Sequence, residues 1–158
     1  MTYAIRAYRD GDAPALAQLF YDSIRQAARR DYSQAQVEAW APRVQDPSRF
    51  ATKASDGRVF LVAVDGKDEP IAFGDLEADG HIDYLYCRPD FVDTGIASAL
   101  YDRLEAIARS RAMPRLYTEA SELARRLFAR KGFAVVTRRD FDLNGVDIHN
   151  YAMEKFLS

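Results

Sequence analysis

Residues Tyr84 to Leu104 read YLYCRPDFVDTGIASALYDRL: an apolar run that stops at Pro89, a short polar loop, and a helix opening on Gly95 and Ala97. The chemistry on offer is anion binding. A helix amino terminus carries N–H groups without intrahelical partners and a partial positive charge, which together attract a phosphate. Gly95 and Ala97 leave those N–H groups uncovered, and Thr94 adds a hydroxyl donor. Asp93 acts against a phosphate, because a carboxylate there competes for the same donors. The eight glycines fit neither G-x-x-x-x-G-K-[ST] nor G-x-G-x-x-G. The plainer reading is a strand-to-helix turn capped by Thr94 or Asp93.

A second group of residues could move protons. Asp79-Gly80 is a two-residue hairpin signal. That register sets Leu76 opposite Asp83 and turns His81, Asp83, Leu85 and Cys87 to one face. Asp75 and Glu77 then share the other face with Tyr84 and Tyr86, so the two acidic sets cannot converge on one proton. His81, with an ordinary pKa near ~6.5, is suited to take a proton at neutral pH, or else it simply follows the turn into water. Asp83 is the neighbouring candidate. Asp75 and Glu77 read as a solvated face, with Glu77 in reserve as a base. Cys87 as a nucleophile would need a base, and His81 lies about 20 Å away along the strand at ~3.3 Å per residue. Cys87 therefore reads as a small buried hydrophobe.

The elements that must hold these groups follow from composition and periodicity. The chain has 158 residues, 48% hydrophobic and 29% charged, which suits one folded domain spanning 1–158. A formal net charge of -2 gives no general attraction to nucleic acid or to an anionic membrane. The run VFLVAV at Val59–Val64 is too short to cross a bilayer, and MTYAIRAYRD carries charges where a signal peptide would be apolar. One cysteine excludes an intrachain disulfide, and no metal-ligand spacing is present. A reducing, cytoplasmic setting is the default expectation.

The pattern predicts a strand near Tyr3–Tyr8 and a helix from Asp12 to about Arg30. A second helix starts at Ser33, where Ser33 and Gln36 form a capping box, with Val37, Trp40 and Val44 on its apolar side. Strands follow at Arg58–Asp65, Pro70–Glu77 and His81–Cys87, then a long helix from Gly95 to Arg111. Pro114 ends that helix before a strand at Arg115–Glu119. Ser121 caps a short helix that stops at Gly132. Strands Phe133–Asp142 and Val146–Phe156 close the chain around the Asn144-Gly145 turn. The expectation is an α/β (α+β) fold, a mixed and mostly antiparallel twisted sheet of about seven strands flanked by about four helices.

Two motifs sharpen this. The strand ending Leu85-Tyr86-Cys87-Arg88-Pro89, followed by Val92-Asp93-Thr94-Gly95-Ile96-Ala97, resembles the acetyl-CoA signature of the GNAT superfamily of N-acetyltransferases. That signature is a strand, often V-x-P, then [QR]-x-x-G-x-[GA] at the head of a long helix. Further on, the segment SELARRLFARKGF from Ser121 to Phe133 resembles the family's N-x-x-A-x-x-[LF]-Y-x-x-x-G-F helix. The order of elements along the chain is also similar.

The resemblance implies acetyl-CoA as cofactor and strands four and five splayed at their ends, with Leu85, Tyr86 and Cys87 pairing with the pantetheine arm. It implies that the N–H groups around Val92, Asp93, Thr94, Gly95, Ile96, Ala97 and Ser98 hold the pyrophosphate. Ser121, where asparagine is common, would bond the arm, and Phe128 would pack near the sulfur. The basic set Arg125, Arg126, Arg130 and Lys131 reads as a solvated face that would also brush the adenosine phosphate. Trp40, Tyr32 and Tyr21 would line the acceptor pocket, although Trp40 also reads as core. The implied partner is a small-molecule or peptide amine, with a homodimer possible and neither nucleic acid nor membrane involved.

Three positions depart from the pattern. Val92 replaces Gln or Arg, Asp93 adds a negative charge, and Phe128 replaces the tyrosine that commonly protonates the leaving thiolate. Tyr86, Tyr117, Tyr151, Cys87 or solvent would have to substitute. General acid–base help is worth ~10²–10⁴-fold, while proximity supplies roughly 7–11 kcal/mol, so activity survives such a loss in principle. The expected function is acetyl transfer to a primary amine by direct attack in one ternary complex. The alternative is a non-catalytic acyl-CoA-binding or sensing module.

Overall fold

The run Val59–Val64 has no polar face because neither of its faces meets water. The structure, a computed structural model that describes residues 2–158, places it in β2, Val59–Asp65. Phe60, Val62 and Val64 pack into one core cluster, and Leu61 and Ala63 into another on the opposite side. A strand covered on both faces reads as an unbroken apolar run rather than an alternating one. Its neighbours in an antiparallel sheet are β1 (Tyr3–Ala7) on one edge and β3 (Pro70–Leu76), then β4 (Leu85–Cys87), on the other. A second antiparallel sheet holds β5 (Arg115–Ala120), β6 (Ala134–Leu143) and β7 (Val146–Phe156) in the order β5-β7-β6.

Helices cover both faces. On one lie α1 (Ala13–Gln26), a 3-10 turn at Ala27–Arg30, α2 (Gln34–Trp40) and α3 (Ser48–Ala54). They bury Leu16, Ile24, Val37 and Phe50 against Phe60, Phe73 and Tyr84. On the other lie α4 (Ile96–Ser110) and α5 (Glu122–Arg130), which bury Leu100, Leu104 and Phe128 against Ile71, Leu116 and Met153. The described residues thus form seven strands and five α-helices. The sequence pattern anticipated the strands and four of the helices. It omitted α3, which has only seven residues and one fully buried side chain, Phe50. The capping box forms as expected, with the Gln36 N–H 3.1 Å from Ser33 Oγ and the Ser33 N–H 2.8 Å from Gln36 Oε1. Val44, expected on the apolar side of α2, lies beyond its end and is 40% exposed.

The strand expected at His81–Cys87 is shortened to Leu85–Cys87, and the cause decides the site. In β3 and β4, Gly74 pairs with Leu85 and Phe73 with Tyr86, and the Asp75 N–H donates to the Tyr84 carbonyl at 3.1 Å. Near the turn, the Glu77 N–H donates to the His81 carbonyl at 2.8 Å. Between those bonds Leu76 stands alone on β3 while Ile82 and Asp83 oppose it. That is a β-bulge, and it resets the in-out alternation. His81 moves to the face of Glu77 and Tyr84, so the expected separation of the two acidic sets is overturned. Asp75, expected on a solvated face, is completely buried.

The two sheets touch at a seam. His81 and Tyr117 form an isolated parallel bridge, with the Ile82 N–H donating to the Tyr117 carbonyl at 2.9 Å and the Tyr117 N–H to the Gly80 carbonyl at 3.1 Å. The Thr118 hydroxyl adds a bond to the Ile82 carbonyl at 2.8 Å. Gly80 is required here: its φ is +96°, and a Cβ would lie 2.1 Å from the Arg115 carbonyl oxygen. Beyond the seam, among the described residues, β4 pairs only with β3, and β5 only with β7.

Candidate active site

A cleft occupies the angle between β4 and β5. Leu85, Tyr86 and Cys87 line it from one strand, and Thr118, Glu119 and Ala120 from the other. Ile24 and Trp40 reach it from the α1–α2 side, and Phe128 and Leu127 from α5. Hydrogen bonding explains why β4 is open there. In an antiparallel pair, residues alternate between exchanging main-chain bonds and turning away. The Arg88 N–H donates to the Ile71 carbonyl at 2.9 Å, and Asp75 bonds Tyr84, so the bonded pairs fall on Tyr84, Tyr86 and Arg88. Leu85 and Cys87 therefore present their N–H and C=O to the gap. On β5, Tyr117 turns its N–H and C=O toward the seam, so Glu119, two residues on, turns its own the same way.

At one end of the cleft stands the amino terminus of α4. Its N-cap, Gly95, has φ +88°, and no side chain caps the helix. Neither expected cap is used. The Thr94 hydroxyl donates to the Phe91 carbonyl, and Asp93, itself at φ +63°, swings to Arg30, with Oδ2 3.7 Å from Nη1. Nothing lies within 4 Å of where a Gly95 Cβ would stand, so the first-turn N–H groups are approachable. Val92, Asp93, Gly95, Ala97 and Ser98 all line this end. Neither Thr94 nor Ile96, whose side chain is fully buried in the core, lines the cleft.

Besides Asp93 at the helix end, two carboxylates, Asp83 and Glu119, stand among the lining residues. Each has one oxygen held by cations. Asp83 Oδ2 is 2.8 Å from Lys53 Nζ and 3.4 Å from Arg58 Nη1, and Glu119 Oε1 is 2.8 Å from His81 Nε2. The hydrogen bond from His81 and its charge hold Glu119 below the ordinary carboxylate range. His81 itself sits outside the cleft, clamped between Glu119 and Glu77. The Glu119 bond, opposed by burial and aided by Glu77, pushes its pKa up to about 9. Both of its ring nitrogens face carboxylates, and neither opens into the cleft. Glu77 is likewise outside the cleft, occupied by His81 and by Arg58 at 3.4 Å.

Residues 28–155 match the acetyltransferase (GNAT) domain family.

The chain belongs to the GNAT N-acetyltransferase family.

A curated relative, the uncharacterized N-acetyltransferase YafP of Escherichia coli K12, is 30% identical over 149 residues, 94% of this chain and 93% of its own length. The crystal structure of a GCN5-related N-acetyltransferase from Rhodopseudomonas palustris superposes with a TM-score of 0.88 at 36% identity, covering 99% of this chain and 97% of that one. The fold is also that of YncA from Salmonella typhimurium, solved with its cofactor acetyl-CoA. Its TM-score is 0.77 at 17% identity, over 100% of this chain and 95% of that one.

Within this GNAT domain, the donor set suits an elongated ligand with a phosphate at one end and amides along its length. Ser121, which caps α5 through the Ala124 N–H at 3.3 Å, and the ring of Phe128 line the far wall. Phe128 is held edge-on by Phe133 at 4.8 Å and Tyr101 at 5.8 Å between ring centroids, so no hydroxyl points from that position. Tyr117 and Tyr151 are committed elsewhere, to Asp79 and to Glu122. Burial pushes the Cys87 thiol up to about 12. Tyr86 lines the cleft, and burial also raises its phenol, which stays protonated. Glu119 was missed in the sequence because nothing in RLYTEA marks one strand residue as facing a gap; only the seam at Tyr117 fixes which way Glu119 turns.

Proposed function

We propose that the protein is an acetyl-CoA-dependent N-acetyltransferase acting on a primary amine of a small molecule or peptide, by direct attack in a ternary complex. The observation that carries this reading is one cleft with an uncapped helix terminus at one end and the carboxylates of Asp83 and Glu119 at the other. Acetyl-CoA supplies the activated acetyl group when bound. The first-turn N–H groups of α4 hold the diphosphate, each contact worth about 0.3–1 kcal/mol in exposed settings, so several act together. Leu85 and Cys87 pair their main chain with the amide-bearing arm. Ser121 bonds that arm, and Phe128 packs at its end.

Asp83 and Glu119 each keep one oxygen outside the ion pairs described above. Those oxygens bind the ammonium of the acceptor and pass its proton toward solvent. Tyr86 holds a proton at its hydroxyl for the departing sulfur, in place of the tyrosine absent at Phe128. No helix among the described residues is long and apolar enough to cross a membrane. A reducing, cytoplasmic setting is part of the proposal, as is a homodimer along the exposed β6 edge, where Val135 and Val136 are 47% and 55% exposed. A second reading, an acyl-CoA-binding module without catalysis, is favoured by Phe128 alone. Calorimetry with coenzyme A tests both, and thiol release from acetyl-CoA across a panel of primary amines separates them. No heat of binding at millimolar coenzyme A sinks both; binding without amine-dependent thiol release leaves only the module.

A further inference from the structure

Asp75 takes no part in the chemistry just described, yet it is the least exposed of the buried polar and charged residues, at 0%. A buried carboxylate is tolerated only where its oxygens are satisfied. Here Oδ1 accepts the N–H of Asp83 at 2.8 Å and the N–H of Tyr84 at 2.7 Å, and Oδ2 accepts Arg58 Nη1 at 2.6 Å. In a regular ladder the Tyr84 N–H would bond the Asp75 carbonyl. The side chain takes that proton instead, together with the N–H of Asp83, the residue the bulge adds. Arg58, 7% exposed at its side chain, then reaches on to Asp83 Oδ2 at 3.4 Å.

We infer that Asp75 is a positioning residue for Asp83, fixing it once through the main chain, by holding the bulge, and again through Arg58, by orienting its carboxylate. The inference rests on the reading of Asp83 as a group that binds the acceptor amine. An ion pair that merely stabilised the fold would satisfy Asp75 and Arg58 with no bond to the N–H groups of the bulge. Here two of the three bonds to the Asp75 carboxylate go to main-chain N–H groups, that of Asp83 in the bulge and that of Tyr84 beside it. They lie at the acceptor end of the cleft, whereas among the described residues no hydrogen bond or ion pair joins the cofactor end, from Leu85 to Gly95, to the side chains of Asp75 or Arg58.

The test uses the full chain in two arms. In the first, amide hydrogen exchange by NMR is followed at Asp83 and Tyr84 in the wild type and in Asp75→Ala, Asp75→Asn and the charge-balanced pair Arg58→Gln with Asp75→Asn, with Val62 as the core reference. We expect protection at Asp83 and Tyr84 to be lost in Asp75→Ala and kept in the variants that retain an acceptor oxygen, while Val62 stays protected. In the second arm, coenzyme A affinity is measured by calorimetry and amine kinetics with the best acceptor from the panel. Asp75→Asn and the paired variant should lower turnover by about 10²-fold, the scale of a misplacement of ~1 Å. Their coenzyme A affinity should be unchanged. Retained protection in Asp75→Ala overturns the inference, as does a parallel loss of coenzyme A affinity and turnover. A wild type that binds no coenzyme A sinks the acetyltransferase reading instead; the exchange arm is read on the free protein and decides the role of Asp75 in the bulge by itself.

Discussion

His81 Nε2 lies 2.8 Å from Glu119 Oε1, a contact that crosses the seam between the two sheets. With Glu77 on the other ring nitrogen, the imidazolium ties the residue just after β3 to Glu119 of β5. The folded pKa of about 9 stands above the unfolded value near ~6.5. Its stabilising contribution is therefore complete below about pH 6.5 and disappears as pH rises through about 9. Melting temperatures of the wild type and His81→Gln should differ at pH 6 and converge above pH 9.5. In a proton NMR titration, Glu119→Gln should bring the ring pKa down toward the free value, and an unmoved titration would refute the clamp.

Gly80 lets the two sheets approach closely at the seam. A Cβ at this position meets the Arg115 carbonyl at 2.1 Å, on a backbone at φ +96° that costs L-residues about 1–2 kcal/mol before the clash is counted. Gly80→Ala should lower unfolding free energy by more than that in urea titrations. A variant as stable as the wild type would mean that the seam is not rigid.

Gly95 supports the anion end by conformation alone. Because open space surrounds its missing Cβ, Gly95→Ala should fold, while the φ of +88° makes the helix start shift or strain by about 1–2 kcal/mol. Coenzyme A affinity should fall by about tenfold, which is ~1.4 kcal/mol. Calorimetry showing wild-type affinity would remove the helix terminus from the binding site.

Tyr86 and Phe128 share the cleft wall, and only one carries a hydroxyl. Tyr86→Phe should reduce kcat by about 10²-fold or more without weakening coenzyme A binding. Adding Phe128→Tyr should restore part of the loss. Unchanged turnover in Tyr86→Phe would assign the proton to solvent.

Much of this was legible in the sequence because it is written in local rules. The Ser33–Gln36 box, the apolar run Val59–Val64 of β2 and the Gly95 helix start each follow from a few neighbouring residues. The bulge was not legible. It depends on a buried carboxylate on β3 that displaces the ladder bonds of the next strand, and Asp75 in a string of residues looks like any solvated acid. One added residue then exchanged the faces of His81 and its neighbours, which misplaced the proton-transfer groups while leaving Leu85–Cys87 where the pairing register required. Long-range charge contacts such as Arg58 with Asp83, 25 residues apart, have no periodic signature.

The lining of the cleft draws on Ile24 and Trp40 from one helical layer and on Leu127 and Phe128 from the other. A cleft walled from both layers takes its shape from two separate hydrophobic cores at once, so repacking either one would reshape it.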